Sequence, residues 1–446
     1  MIRRELLTSL EQWANKSRHK PLVLRGARQV GKTTVVEIFG KSFDCFIKLD
    51  LQKTENKKIF ESQSSFQELL SAIFFYSGFS RSEKRTLIFI DEIQSSPAAV
   101  SSLRYFYEEA PEIYVIAAGS LLETLIDKNI SFPVGRVEYL FLRPCSFPEY
   151  LNAIGETQSI EILKEKIIPS FAHKKLADHF NRYTLIGGMP EVLSKYSETG
   201  DVLSVNPIYQ SLIAGYNDDI EKYGRNSSMV QHLRHILKTG FFFADQRIKF
   251  ERFGSSDYRS REMGEAFRTL EKALLIDLIY PITKSTLPAI PDFKKSPRLL
   301  WFDTGIVNYM TGIQKEVFGC KDITDAWRGI VAEHITGQEL LALDSSPLIK
   351  RSFWVREAKN SNAETDFIFI WDGLLIPVEV KSGEGTRLLS LRLYMDTAPH
   401  DIAVRVWSSP LSKATVTTHK GKKFRLLNIP FYLVHKLPEI LNSFAG

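Results

Sequence analysis

Cysteine is nearly absent from this sequence. The three that occur, Cys45, Cys145 and Cys320, lie far apart and form no CxxC pair, which excludes a disulfide framework and a zinc ribbon. Long apolar runs are missing too. The longest, such as Leu87 to Ile90, are strand-sized, well short of the roughly 20 residues that span a bilayer. The Met1-Ile2-Arg3-Arg4 start leads into a mixed-charge helix rather than a secretory signal. A soluble, cytoplasmic chain with no membrane partner is expected. Charge of one sign is not in excess either: 58 Lys and Arg against 52 Asp and Glu leave +6, a weak pull toward an acidic partner. His232 and His235 stand three apart with no carboxylate or thiol beside them, so they read as a core or surface pair rather than metal ligands.

What is present is an ordinary globular composition, 44% hydrophobic and 25% charged over 446 residues, enough for two to four domains. The strongest local pattern is Pro21 to Thr34, PLVLRGARQVGKTT. An apolar strand (Leu22, Val23, Leu24) meets a loop running from Gly26 through Ala27, Arg28, Gln29 and Val30 to Gly31, and Lys32, Thr33 and Thr34 open a helix. Glycines at both ends of such a loop let backbone N–H groups curl inward, and the helix adds its positive N-terminal end, so the stretch is a phosphate cradle. Lys32 is placed to reach the β and γ phosphates of ATP, and the Thr33 hydroxyl to hold Mg²⁺.

A second pattern supplies the rest of that chemistry. Thr86 to Ile90 is an apolar strand ending in Asp91 and Glu92. Asp91 is expected to orient Mg²⁺ and Glu92 to polarise the attacking water. Ile113 to Ala118 forms another strand, followed by Gly119 and Ser120, which makes Ser120 a candidate sensor of the γ-phosphate, with a plain helix cap as the alternative. Charge on the transferred phosphoryl group calls for an arginine. Arg136 and Arg143 are the nearest donors, with Arg28 in the loop itself, and a structural ion pair is the competing role for Arg136. Strand and helix alternate through this part, so a parallel sheet with its ligand at the carboxyl ends of the strands is predicted.

Taken in order, Leu24-Arg25-Gly26-Ala27-Arg28-Gln29-Val30-Gly31-Lys32-Thr33, Ile90-Asp91-Glu92-Ile93-Gln94, Gly119-Ser120, Gly135-Arg136 with Arg143-Pro144-Cys145-Ser146-Phe147, and Gly187-Gly188-Met189-Pro190-Glu191 resemble the successive motifs of the prokaryotic AAA-type ATPases that carry a C-terminal domain of unknown function 4143. The resemblance covers nearly the whole chain and implies ATP binding more firmly than any biological role. The expected fold class is α/β: a P-loop NTPase parallel sheet in an AAA-type ATPase domain (1–150), a helical segment (151–240), a winged-helix-like module (241–315) and a C-terminal nuclease-like α/β domain (320–446).

The middle module rests on an amphipathic stretch, Tyr258 to Leu275, followed by short strands at Ile276 to Ile279 and Arg298 to Phe302, the layout of a winged helix. In a DNA-reading version Arg259, Arg261 and Arg268 would face the groove and Lys294 and Lys295 the backbone. From Phe242 to Arg298, however, eleven basic residues stand against eight acidic ones, an excess too small for a recognition surface, so a packing lid is the stronger reading.

The C-terminal part reads α, β, β, β, α, β: a helix over Asp322 to Leu343 with Ile323, Ala326, Trp327, Ile330 and Val331 as its apolar stripe, strands near Phe353 to Arg356, Thr365 to Trp371 and Leu374 to Lys381, a helix over Leu388 to Thr397 and a strand at Ile402 to Trp407. Asp366, twelve intervening residues and then Glu379-Val380-Lys381 resemble the PD-(D/E)xK nuclease superfamily. Strand alternation puts Glu379 and Lys381 on one face, and Glu333 could reach that face from the helix. Such a site implies a second Mg²⁺ or Mn²⁺ held by Asp366, Glu379 and Glu333, with Lys381 placing the hydroxide. An inactive relic whose Glu and Lys merely pair is the alternative. Beyond Asp401 no acidic residue occurs until Glu439, while Arg405, Lys413, Lys420, Lys422, Lys423, Arg425 and Lys436 do. That segment suits either a nucleic-acid backbone or a solvated basic face. Two outputs follow: an ATP-gated nuclease, or an ATPase whose C-terminal domain only binds nucleic acid or other proteins.

Overall fold

The computed structural model describes the chain except residues 1, 82–83, 120–131, 134, 314–328, 344–350, 358–362, 382–387 and 446. Residues 3–143 gather into one compact unit and most of the remaining described chain into a second. No helix among the described residues is long and apolar enough to cross a membrane.

The first unit is built on a five-stranded sheet of β1 (Leu22–Arg25), β2 (Cys45–Asp50), β3 (Thr86–Asp91), β4 (Tyr114–Ala118) and β5 (Glu138–Phe141), in the order β2-β3-β4-β1-β5. Every pairing is parallel. Parallel strands need crossover connections, and those helices cover both faces, so central strands read as unbroken apolar runs; all six residues of β3 are buried. Ile88 and Ile90 of β3 and Val115 and Ala117 of β4 pack with Ile59, Leu70, Ile73, Leu103 and Phe106 of the helices α3 (Thr54–Glu61), α4 (Phe66–Tyr76) and α5 (Pro97–Glu109). The α5 start follows its sequence: the Ser96 side chain accepts from the Ala99 N–H and Pro97 takes the first turn. Between β2 and β3 the chain forms two helices rather than one, broken at residues 62–65, where Ser65 caps the second by accepting from Glu68 N–H.

In the second unit, helices from Phe147 to Thr239 come first. They are followed by the Ser260–Lys272 helix and an antiparallel pair, β6 (Ile276–Ile279) with β8 (Arg298–Trp301). The two-residue strands β7 (Pro281–Ile282) and β9 (Phe353–Trp354) pair in parallel. The second five-stranded sheet has the order β10-β11-β12-β14-β13, from β10 (Phe367–Trp371), β11 (Leu374–Lys381), β12 (Ile402–Trp407), β13 (Ser412–Thr417) and β14 (Lys423–Pro430). It is mixed: β11, β12 and β14 run parallel, while β10 and β13 pair antiparallel at the two edges. The β13–β14 hairpin and the last helix (Leu437–Ala445) extend the expected order. The Asp322–Leu343 helix is described only as Ile330–Ala342, so Ile323, Ala326 and Trp327 lie outside the described residues. Ile330, expected in the apolar stripe, is 43% exposed because it stands at the helix start.

Two of the sequence motifs meet in this unit. Cys145 N–H donates to Gly188 O at 2.7 Å, and Gly188 N–H donates to Asp303 Oδ2 at 2.6 Å. A Cβ on Gly188 would stand 2.3 Å from Cys145 O, so no other residue fits that crossing. Tyr183 Oη has two acceptors within reach of its one proton, Cys145 O at 2.8 Å and Glu339 Oε1 at 2.7 Å. Burial raises the Asp303 carboxyl to about 6 against the N–H groups of Gly188, Ile306 and Gly305 that favour its charge. The Arg143 to Phe147 and Gly187 to Glu191 motifs thus include a buried polar joint.

Candidate functional site

The phosphate loop is assembled by close backbone approach. A Cβ on Gly26 would sit 2.5 Å from Leu142 O, which brings the loop against the chain leaving β5. Gly31 has φ 92°, and Gln29 adopts φ 65° although it has a side chain, so the loop curls with its N–H groups inward. From Gly31 the helix α2 (Lys32–Gly40) begins. Thr34 lies in its first turn, and Ala27 and Val30 are buried beneath the loop.

Lys32 folds back over the loop. Its Nζ donates to Gly26 O at 3.0 Å and Ala27 O at 2.8 Å, and burial pulls its pKa down to about 8, with Glu92 and Asp91 opposing and Arg28 adding to the fall. Thr33 Oγ1 donates to Asp91 Oδ2 at 2.7 Å, which brings the helix start to the end of β3. A hydroxyl and a carboxylate oxygen are the hard donors Mg²⁺ takes, so this pair fits that ion. Glu92 has φ 52°, a left-handed backbone that costs a side-chain residue about 1–3 kcal/mol. Its Oε2 accepts from Gln94 Nε2. In the sheet order β4 lies between β1 and β3, so the end of β4 runs out beside both the loop and the acidic pair. Ser120, two residues beyond β4, lies outside the described residues. Arg136 Nε donates to Glu108 Oε1 at 2.9 Å on the exposed side of α5, where Arg104 holds the same carboxylate. Its geometry in this unit is that of an ion pair. Arg143 has its guanidinium 5.0 Å from the Phe141 ring.

In the second unit the sheet brings the C-terminal residues together. Asp366 directly precedes β10, and its Oδ2 accepts from Val380 N–H at 2.7 Å. Lys381 Nζ stands 2.7 Å from Glu379 Oε1 on the shared face of β11. Glu333 joins through an intermediary: Arg298 donates to Glu333 Oε2 at 3.1 Å and lies 4.0 Å from Asp366 Oδ1. Burial, then the proximity of Asp245, pushes the Glu333 carboxyl up to about 9, and burial with Glu333 and Glu379 nearby holds Asp366 well above the usual carboxylate range. The donor set does not fit a divalent ion. Among the described residues no three His, Cys, Asp or Glu side chains are grouped to hold one, and the carboxylates expected to converge are instead engaged by Arg298, Lys381 and a backbone N–H. His232 and His235 have contacts of their own. His232 meets the Tyr258 ring edge-on at 4.4 Å, and His235 Nε2 bonds Phe253 O at 2.9 Å.

Residues 18–151 match the family described as AAA domain. The chain is a P-loop ATPase. Residues 177–317 of the ATPase match a domain of unknown function (DUF8612), a different description from the domain 4143 that the motif order implies. No curated protein matches it in sequence. Similar solved structures include the Walker-type ATPase paby2304 of Pyrococcus abyssi, 14% identical over 70% of this chain and 96% of that one, with a TM-score of 0.45. The ORC1 protein of Aeropyrum pernix in complex with DNA is 13% identical over 70% and 93%, with a TM-score of 0.29.

Three residues of the ATPase escaped the reading of its sequence. Arg4, 5% exposed, donates to Val30 O at 2.8 Å and Arg143 O at 2.6 Å, tying the loop to the chain after β5. Gln94 was visible only as part of a motif, two residues after Glu92. Arg298 was counted among the basic residues of the middle module, and nothing in its neighbours along the chain marks it.

Proposed function

We propose that the chain is an ATP-driven switch whose nucleotide site controls a nuclease-like C-terminal domain that engages nucleic acid. The observation that carries the first half is the junction of Thr33 with Asp91 at 2.7 Å beside a lysine lying on the loop carbonyls. ATP binding draws Lys32 off Gly26 O and Ala27 O onto the β and γ phosphates, replacing two neutral acceptors by charged ones. Thr33 and Asp91 would hold Mg²⁺, which would supply neutralisation of phosphate charge. Glu92 orients the attacking water and takes its proton once its carboxylate is turned from Gln94. Ser120 is assigned the sensing of the γ-phosphate. Loss of that group on hydrolysis releases the arrangement, the order-to-disorder logic of nucleotide switches.

The second half rests on finer likenesses. The motif order resembles AAA-type ATPases with domain 4143, the mixed sheet carrying Asp366, Glu379 and Lys381 resembles PD-(D/E)xK nucleases, and the Ser260–Lys272 helix with the β6–β8 hairpin resembles a winged helix. Arg259, Arg261 and Arg268 are all exposed on that helix or its start, which supports a basic contact surface. The domain limits we assign are 1–150, 151–240, 241–315 and 320–446, in a cytoplasmic protein. A protein partner is the second reading, favoured by the internal use of the C-terminal basic residues. Arg425 is held by both Asp401 oxygens, Lys422 by Ala398 O and His400 O, and Arg405 by Asn428 and the Trp407 ring.

Purified Lys32→Ala should lose ATP hydrolysis, and full turnover in that variant would overturn the nucleotide assignment. Fluorescence anisotropy with labelled DNA and RNA at low salt, with ATP and with ADP, tests the output. Nucleotide-dependent binding supports the first reading, and no binding at 20 mM-scale salt, roughly where phosphate contacts are strongest, supports the second.

A further inference from the structure

The carboxylates that the sequence offers as metal ligands already surround a cation of the chain itself. Arg298 is only 3% exposed, and its guanidinium faces four acids from three separate segments. Asp245 Oδ1 lies at 3.7 Å, Glu333 Oε2 at 3.1 Å, Glu364 Oε1 at 3.2 Å and Asp366 Oδ1 at 4.0 Å, with the Asp366 main-chain oxygen accepting at 3.3 Å. The position is fixed by more than charge. In β8, Arg298 pairs with Ile279, and the rings of Phe353 and Phe367 stand 5.0 and 6.0 Å from the guanidinium carbon. On β11 Lys381 takes one oxygen of Glu379.

We propose that Arg298 is the resident counter-cation of this cluster, standing in for the divalent ion a metal-dependent phosphodiesterase would hold, so that the C-terminal domain is assembled without metal and does not cleave nucleic acid. The chemistry of the two cations explains why they exclude each other. A divalent ion needs several oxygens drawn in to 2.0–2.6 Å, roughly, around a point. A planar guanidinium spreads its five donors so that oxygens stand about 3 Å away in different directions. The same carboxylates cannot satisfy both geometries, and a second positive centre placed among them would be repelled by the first. Nor does Arg298 have the freedom to act on a substrate phosphate, because its terminal nitrogens are already directed at protein oxygens in a buried site. The comparison with a nuclease rests on the fold reading above. The nucleotide site is independent of it, and Lys32→Ala separates the two.

The test uses the full chain without nucleotide and Mn²⁺ as the probe, followed by calorimetric titration, thermal unfolding and a plasmid and RNA cleavage assay. Wild type should neither bind Mn²⁺ in a way that Asp366→Asn removes nor cut either substrate. Arg298→Gln should lower Tm by roughly 10 °C, because it leaves buried acid without its partner, and millimolar-scale Mn²⁺ should restore part of that loss. The restoration should vanish in the Arg298→Gln, Asp366→Asn double variant. Stoichiometric Mn²⁺ binding by wild type that Asp366→Asn abolishes, or cleavage lost in that variant, would overturn the proposal. So would a folded Arg298→Gln that Mn²⁺ leaves unchanged. Should Arg298→Gln fail to fold, the wild-type and Asp366→Asn pair still decides, since both keep the arginine itself.

Discussion

The two ends of the chain carry carboxylates and a lysine at the rims of five-stranded sheets, yet they spend those charges differently. At the nucleotide site the cation rests on neutral carbonyls, Gly26 O and Ala27 O, and Asp91 faces a hydroxyl. Both contacts are weaker than what ATP and Mg²⁺ offer in exchange, so the site is ready to be rearranged by a ligand. At the C-terminal cluster the cations are already matched to acid: Arg298 to Glu333, Glu364, Asp245 and Asp366, and Lys381 to Glu379. A ligand there would have to beat existing ion pairs inside a buried site. The same residue types make a reactive centre or a structural one according to which of them pair before any ligand arrives.

The sharpest way to test the contrast is to remove one group from the side expected to be reactive. Glu92→Gln keeps the size and the left-handed start of the turn but removes the base. It should lower kcat for ATP hydrolysis by roughly 10²–10⁴-fold while a fluorescent ATP analogue still binds; a variant with unchanged kcat would show that another group activates the water. Gly26→Ala should come next. Its Cβ would meet Leu142 O at 2.5 Å, backbone against which nothing flexible can yield. A loop displaced by an ångström loses about 100-fold in kcat/KM, measurable in the same assay. A wild-type value would mean that the loop shifts on binding far more than this packing allows.

A smaller effect comes from pH. The Lys32 ammonium is held down to about 8 by burial, and phosphate prefers its protonated form. In the free enzyme the protonated fraction falls as pH rises through 8, so nucleotide must draw a proton from solution in order to bind. The expected result is kcat/KM for ATP declining up to about tenfold per unit above pH 8, with kcat at saturation flat, because bound phosphates hold the proton. A kcat/KM profile that stays level to pH 9.5 would place the Lys32 pKa elsewhere.

The nucleotide half was legible because its parts are contiguous. Gly26 to Thr33 and Thr86 to Glu92 each announce a strand, a turn and a charge within about ten residues, and the structure joins them by one hydrogen bond between Thr33 and Asp91. Strands β11 and β12 were equally plain, as short apolar runs between polar residues. What stayed hidden depends on reach across the fold. Arg4 crosses 26 residues to Val30 and 139 to Arg143, and Arg298 gathers acid from both sides of its strand. A guanidinium on a long stem can be placed anywhere by the packing of its backbone, and no spacing along the chain records that. The β13–β14 hairpin was passed over because β13 is a largely exposed edge strand, whose only apolar residues, Ala414 and Val416, are too few and too small to mark it.

The smallest expected effect is on the other side of the contrast. Lys381 is the residue that resemblance made catalytic, and Lys381→Met should leave ATP hydrolysis unchanged. It removes the partner of Glu379, which is 5% exposed, and a buried carboxylate stripped of its cation is costly in principle. Two features reduce that cost here. The Lys381 side chain is 31% exposed, so solvent already screens the pair. Burial also already pushes the Glu379 carboxyl up, so the lone acid can take a proton. A loss of about 1–2 kcal/mol near neutral pH follows. The sign of its pH dependence is fixed. In the variant the folded pKa of Glu379 lies further above its unfolded value, so the folded state holds a proton that the unfolded state has released, and stability is lost as pH rises. Thermal unfolding of wild type and Lys381→Met at pH 6 and pH 8 should therefore show the larger gap at pH 8. A gap that widens toward pH 6 would mean that the lysine is matched to something other than Glu379, and the contrast between the two sites would have to be redrawn.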